Sequence, residues 1–211
     1  MGLSLWLSII VITVSGAFAV AGAYQKSRFS HYTFKPLTMI LIISLAWDRA
    51  ADGSQAYGYL ILAGLCFGLI GDILLMLPAN RLRQGMAAFS AGHILYSIAF
   101  ALGTKELSLP ALAALGAWGA VVFFVLRRGL GRLRLPVAAY MVISVLMAWL
   151  GVGRHLTLDQ SKSLLSLAGG LLFLFSDSIN GLKRFRKPFR AAEVLTLAPY
   201  YAAQLLIALS T

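Results

Sequence analysis

Residues 56–77 read AYGYLILAGLCFGLIGDILLML, an apolar run that contains one charged residue, Asp72. A helix of this length crosses about 30 Å of hydrocarbon. Seven other segments share this apolar character, and short polar loops join them. The eight segments are residues 3–23, 36–50, 56–77, 85–102, 107–126, 135–152, 162–182 and 191–210. Because helices satisfy their backbone hydrogen bonds internally, the sequence predicts an all-α, polytopic membrane bundle of eight transmembrane helices.

The composition limits the alternatives to this fold. The 211 residues are 60% hydrophobic and only 12% charged, which is far from the usual range of soluble domains. The eight segments use nearly the whole chain, so we expect one integral membrane domain over residues 1–211. The single cysteine, Cys66, lies within an apolar segment and has no cysteine or histidine partner at metal-ligand spacing. No nucleotide-binding loop, GxSxG or HExxH motif occurs, so neither a cofactor nor a metal is predicted.

The distribution of positive charge predicts the topology. Of the 18 lysines and arginines, 14 lie in the first, third, fifth and seventh loops. This bias places the basic loops in the cytoplasm and both termini on the opposite side, as expected for a multi-pass protein of a bacterial inner membrane. The net charge of +11 is then explained by topology and by attraction to anionic lipids, so no nucleic-acid partner is predicted.

A second intramembrane aspartate suggests an internal repeat. Asp177 lies in LFSDSI, 105 residues after Asp72 in LIGDIL. The same offset pairs Gly64 with Gly169, Arg81 with Arg186 and Tyr96 with Tyr201. The sequence therefore predicts two four-helix halves, residues 1–106 and 107–211. Because each half holds an even number of spans, the repeats would be parallel, with their axis along the membrane normal.

The two aspartates have a structural and a functional interpretation. An aspartate at membrane depth costs on the order of 3 kcal/mol, so each must face the bundle interior or a wet cavity. They could be structural anchors, hydrogen-bonded or paired with Lys35, or they could form a functional site. Lys35, at the start of the second segment, could hold one aspartate ionised while burial keeps the other protonated. It could equally bind a phosphate or extend towards the lipid headgroups.

Polar side chains on two other segments belong to the same constellation. On the fourth segment, His93 and Tyr96 share one stripe with two phenylalanines. On the last segment, Tyr200 and Gln204 share a face, and Tyr201 lies beside it. At membrane depth these groups need partners, either as contacts between helices or as the polar wall of a pocket. His93 could also orient a partner or exchange a proton.

Two buried carboxyls can divide the work of acid catalysis. One is kept neutral by apolar surroundings and donates a proton, while the other stays ionised and stabilises a cation or activates water. A vinyl ether suits this chemistry, because protonation of its alkenyl carbon gives an oxocarbenium ion that water converts to an aldehyde and an alcohol. Two other classes stay open on the residues alone, a proton-coupled carrier and a non-catalytic lipid-binding protein. The identity of the acid and the oligomeric state are also open.

Five short motifs follow one another along nearly the whole chain. They are KPL at 35–37, GDILLML at 71–77, FxxGHxxY at 89–96, SDS at 176–178 and YYAAQLLIALS at 200–210. With these motifs in this order, the chain resembles the YhhN-type lysoplasmalogenase family of eight-helix membrane proteins. The resemblance implies hydrolysis of the vinyl ether of lysoplasmalogens to a fatty aldehyde and glycerophosphoethanolamine or glycerophosphocholine.

The resemblance also implies a site. It makes Asp72 and Asp177 the catalytic pair, because they match the family's two motif aspartates. The other motif positions supply the candidate substrate-binding residues Lys35, His93, Tyr96, Tyr200, Tyr201 and Gln204. The expected partners are the lysophospholipid substrate and membrane lipids, and no cofactor is implied.

Overall fold

Helices form all the regular secondary structure of the part of the chain that the computed structural model describes, residues 2–50, 55–77 and 81–211. The helices are α1 (Gly2–Tyr24), α2 (Arg28–Ala50), α3 (Gln55–Met76), α4 (Leu82–Ala101), α5 (Leu109–Leu126), α6 (Arg134–Leu158), α7 (Ser161–Phe185) and α8 (Ala192–Leu209), with a 3-10 turn at Gly131–Leu133 before α6. The all-α prediction is therefore confirmed.

Six of the helices in the described ranges are long and apolar enough to cross a membrane, namely α1, α3, α5, α6, α7 and α8. The polar residues of α2 and α4, which include Lys35 and His93, lower the hydropathy of these two helices. Both are nevertheless built into the bundle, because α2 contacts α1, α3 and α8, and α4 contacts α3 and α6. Composition thus identifies six of the eight predicted spans.

The second helix differs from its prediction at the N-terminal end. It begins at Arg28, eight residues before the predicted start at residue 36, and it contains Pro36 in its interior. Proline removes the bond to the carbonyl four residues earlier and crowds that carbonyl, but a helix is still the best way to satisfy the remaining backbone groups in lipid. Lys35 therefore lies about two turns inside α2. His31 lies one turn before it on the same face.

Two buried apolar clusters hold the helices together. The larger joins α2, α3, α4 and α8 through Met39, Ile42, Ile61, Leu65, Phe100 and Ile207. The smaller joins α5, α6 and α7 through Val122, Leu126, Met141, Val145 and Leu174. The contacts of α4 with α6 and of α7 with α8 connect the two sets of helices.

Candidate functional site

Asp72 lies near the C-terminal end of α3 and is almost completely buried, with 2% of its surface exposed. The ammonium nitrogen of Lys35, from α2, lies 3.0 Å from its Oδ1. The hydroxyl of Tyr200, from α8, donates a hydrogen bond of 2.7 Å to its Oδ2. Each oxygen of this carboxylate thus has a partner, and one of the partners is a cation. Such pairing is what a buried charge requires.

A hydrogen-bonded chain behind Tyr200 fixes the direction of its hydroxyl. Tyr96 donates to Oε1 of Gln204 over 2.7 Å, and Nε2 of Gln204 donates to the Tyr200 oxygen over 3.2 Å. Because Tyr200 accepts from Gln204, its own proton is free to point at Asp72. Gly68 of α3 leaves room for this amide, since a Cβ at Gly68 would lie 2.7 Å from Nε2 of Gln204.

Asp177, on α7, has partners of a different kind. Tyr140 donates to its Oδ1 over 2.9 Å and Ser144 donates to its Oδ2 over 3.0 Å, both from one face of α6. Nε2 of His93 lies 3.6 Å from Oδ2, beyond hydrogen-bond distance. Both ring nitrogens of His93 are buried, and neither has a hydrogen-bond partner within the described ranges. Asp177 therefore has two neutral donors where Asp72 has a neutral donor and a lysine.

Aromatic rings connect the surroundings of the two aspartates. The ring of Phe173, one turn before Asp177 on α7, lies 4.5 Å from the His93 ring and 5.4 Å from the Tyr200 ring, measured between centroids. Phe89 of α4 packs edge-on against Phe173 and Tyr200. The space near both carboxyls is therefore bounded by aromatic surface.

Both aspartates line one cavity of about 230 Å³. The side chains around them in this cavity are Lys35, Phe89, Tyr140, Phe173 and Tyr200. Other lining residues lie at the helix ends next to the first, third, fifth and seventh loops, among them His31, Met76, Leu82, Leu126, Arg184 and Glu193. The cavity therefore runs from the two carboxyls towards the face of the bundle that carries the basic loops.

The structure distributes the sequence-predicted site residues over three places. Asp72, Asp177, Lys35 and Tyr200 line the cavity. His93, Tyr96 and Gln204 do not line it; His93 contacts Asp177 from one side, and the other two hold Tyr200.

Tyr201 lies apart from the cavity. It lines an apolar groove between α1 and α8, and its ring lies 3.5 Å from the position of a Cβ on Gly16. Its hydroxyl is buried and has no hydrogen-bond partner in the described part of the chain. This tyrosine is therefore not in contact with either aspartate, although its neighbour Tyr200 is.

Sequence reasoning missed Tyr140 and Ser144, the two donors to Asp177. A signal for them was present, because Tyr140 follows Lys35 by the same 105 residues that separate the aspartates. Ser144 follows Met39 by the same offset. A search for identical residues overlooks such pairs, since the equivalent positions carry different chemical groups.

The donor set suits a polar organic molecule better than a metal ion. Structural and catalytic metal sites use three or more histidine, cysteine or carboxylate ligands. Among the residues that the structure describes, no three of these side chains converge. Lys35 also disfavours a metal ion at Asp72, because its ammonium nitrogen already lies 3.0 Å from the carboxylate and would repel a second positive charge there.

The helices and the cavity define an integral membrane protein with two aspartates at one interior cavity. The YhhN family model matches residues 30–211. The chain is 32% identical over 204 residues to the uncharacterized membrane protein YhhN of Escherichia coli O157:H7, covering 96% of this chain and 97% of that protein. It is 30% identical over 205 residues to human lysoplasmalogenase TMEM86B, covering 97% of this chain and 85% of the relative.

The rat lysoplasmalogenase TMEM86B is also 30% identical, over 205 residues, with coverage of 97% of this chain and 83% of the relative. No solved structure matches the chain. The chain belongs to the YhhN family, since the family model covers most of its length.

Proposed function

We propose that this chain hydrolyses the vinyl ether bond of a lysoplasmalogen, releasing a fatty aldehyde and glycerophosphoethanolamine or glycerophosphocholine. One observation carries the proposal. Two aspartates with different electrostatic partners line one cavity, in a chain 30% identical to a protein named lysoplasmalogenase. Vinyl ether hydrolysis needs a proton donor and a group that stabilises positive charge, and this pair offers both.

Asp177 is the proton donor in this proposal. Its hydrogen-bond partners, Tyr140 and Ser144, are neutral, and no lysine or arginine of the described residues forms an ion pair with it. A carboxyl in such surroundings is held as the neutral acid. It gives its proton to the alkenyl carbon, whose π electrons form the new C–H bond. A lone pair of the ether oxygen then completes the oxocarbenium ion.

Asp72 is the group that stabilises the cation. Lys35 keeps its carboxylate ionised, and the hydroxyl of Tyr200 fixes the orientation of the second oxygen. A negative charge that is already oriented stabilises a developing cation without reorganisation during the reaction. Phe89 and Phe173 line the same cavity, and an aromatic face turned towards the cation would add a weaker attraction.

Asp177 also serves in the later proton transfers. Water attacks the oxocarbenium carbon and loses a proton to the Asp177 carboxylate, which gives a hemiacetal. Asp177 then protonates the ether oxygen as the C–O bond breaks, and the hemiacetal hydroxyl returns a proton to it. One water is consumed, and the acid is restored for the next turnover.

We further propose that all eight helices cross the membrane as one domain of two parallel halves, with the basic loops in the cytoplasm of a bacterial cell and both termini outside it. Two observations support this arrangement. The 105-residue offset pairs the aspartates and also pairs Lys35 with Tyr140, which are their respective partners. The cavity runs towards the helix ends that carry the basic loops, where a charged headgroup is attracted.

The test is aldehyde release from a lysoplasmalogen by the purified protein in detergent. Asp72→Asn and Asp177→Asn should each abolish turnover in a folded protein. Asp48→Asn is the control, because Asp48 is exposed and lies outside the cavity. In heavy water the aldehyde should carry one deuterium on the carbon next to the carbonyl, since that carbon accepts the proton from Asp177.

Two outcomes would contradict the proposal. Full turnover in both asparagine variants would show that neither aspartate takes part in the reaction. Passage of the intact lipid or a solute across proteoliposomes, without aldehyde, would favour the carrier that the sequence leaves open.

A further inference from the structure

The end of the cavity nearest the basic loops contains a cation that the proposed acid–base chemistry does not use. Lys183 forms an ion pair with Glu193 at 3.1 Å, and Lys35 is engaged with Asp72. Arg184 lines the same cavity and takes part in no ion pair among the residues that the structure describes. The positive charge of Arg184 is therefore available to a ligand at this end of the cavity.

Two polar side chains with hydrogen-bonding groups still unused among the described residues lie along the same cavity. His31 lines it from α2, and its Nδ1 is buried with no hydrogen-bond partner among the residues that the structure describes. Asn180 lines it from α7, and no side-chain hydrogen bond engages its amide within the described ranges. A buried nitrogen without a partner is costly, so such a group is expected to meet a ligand or water. Together with Arg184, these residues offer donors from two different helices.

The spacing along α7 relates these donors to the aspartate. Asp177, Asn180 and Arg184 are three and four residues apart and therefore share one helical face. Arg184 lies about 10 Å further along the helix axis than Asp177. Its Cα–Cβ bond tilts towards the helix N-terminus, as in every α-helix, and its side chain lines the cavity that contains the carboxyls. A lysophospholipid has a matching layout, since its three-carbon glycerol separates the ether bond from the phosphate.

We propose that Arg184, Asn180 and His31 bind the phosphate of a lysophospholipid and thereby hold its ether bond at the two aspartates. This inference rests on the proposed function and names the group that recognises its substrate. A phosphodiester carries one negative charge, which matches the charge of Arg184 at this end of the cavity. The guanidinium fork can donate two parallel hydrogen bonds to phosphate oxygens. The Asn180 amide supplies a further donor, and His31 supplies another in the tautomer that carries its proton on Nδ1.

The experiment measures binding rather than turnover. The probes are 1-O-alkyl-glycerophosphoethanolamine, whose saturated ether has no alkenyl carbon to protonate, and 1-O-alkylglycerol, which lacks the phosphate. In a neutral detergent, Arg184→Gln should weaken binding of the phosphate-containing probe by about tenfold to a hundredfold, the usual effect of losing a hydrogen bond to a charged group. Binding of the alkylglycerol should stay the same. Arg184→Lys should lose less, and His31→Phe should weaken only the phosphate-containing probe.

The matched control is Lys187→Gln, which removes the same charge just beyond the end of α7 but does not alter a lining residue. An equal loss of affinity in Lys187→Gln and Arg184→Gln would overturn the site in favour of general attraction between charges. Competition by inorganic phosphate against the lysophospholipid supports the phosphate site. Binding of inorganic phosphate alone, with no Arg184-dependent binding of the lipid, would overturn the headgroup assignment.

The same variants separate this inference from the reaction. Arg184-dependent lipid binding without aldehyde release would leave the phosphate site standing and remove the proposed hydrolysis. Aldehyde release with the same KM in the parent and in Arg184→Gln would support the hydrolysis and overturn the phosphate site.

Discussion

The ammonium nitrogen of Lys35 lies 3.0 Å from a carboxylate oxygen of Asp72, and the two side chains are 9% and 3% exposed. Neither group can be solvated by bulk water in this position, so each charge depends on the other. The pair also spans two helices, α2 and α3, that are consecutive in the chain. It therefore contributes both to the packing of the bundle and to the charge of the candidate site.

Replacement of Lys35 by methionine should destabilise the protein by about 3–5 kcal/mol, because it leaves the Asp72 carboxylate buried without its cation. The measurement is the free energy of unfolding in detergent, from denaturant titration. The double variant Lys35→Met, Asp72→Asn should regain most of this stability but release no aldehyde. A single variant as stable as the parent would show that the pair adds nothing to folding.

The neighbouring tyrosines Tyr200 and Tyr201 should respond differently to loss of the hydroxyl. Tyr200→Phe removes the hydrogen bond to the Asp72 carboxylate, so kcat for aldehyde release should fall by about tenfold to a hundredfold. Tyr201→Phe should keep the parent kcat, because no described residue forms a hydrogen bond with the Tyr201 hydroxyl. Steady-state kinetics on both variants check this, and equal rates would argue against a role for Tyr200.

Gly68→Ala should lower kcat through Gln204. The added Cβ would lie 2.7 Å from Nε2 of Gln204, so the amide must move and the hydroxyl of Tyr200 loses its fixed direction. Gly116→Ala is the control, since a Cβ there meets nothing within 4 Å. Alanine also favours the helix over glycine by about 1 kcal/mol, so Gly116→Ala should be at least as stable as the parent. Unchanged kinetics in Gly68→Ala would mean that the Gln204 amide adapts.

Tyr57 should contribute to the stability of the protein but not to its catalytic rate. Its hydroxyl hydrogen-bonds Ser166 at 3.0 Å and Ser210 at 2.7 Å and joins α3 to α7 and the end of α8, away from the cavity. Tyr57→Phe leaves two buried hydroxyls with fewer partners and should cost about 1–3 kcal/mol of unfolding free energy. Tyr59→Phe should cost little, because Tyr59 is exposed. A lower kcat in folded Tyr57→Phe would contradict this purely structural role.

The sequence by itself determined the class of fold and the position of the two aspartates along it. Hydrophobic length identifies helices without reference to their neighbours, because each helix satisfies its own backbone hydrogen bonds. The cost of an ionisable group in lipid likewise marks Asp72 and Asp177 as interior residues before any contact is known. The predicted start of α2 was wrong for a local reason, because Pro36 was taken to mark the beginning of the helix but lies inside it.

Only the tertiary structure decided which polar groups meet. Successive residues of a helix point about 100° apart, so Tyr200 reaches Asp72 while Tyr201 faces α1. In a largely apolar bundle, the hydrophobic pattern does not specify how each helix is rotated about its axis, because most of its faces are equally apolar. The assignment of Lys35 to Asp72, and of Tyr140 and Ser144 to Asp177, therefore depends on the packing of α2, α3, α6 and α7. This rotation gives two similar motifs different electrostatic partners.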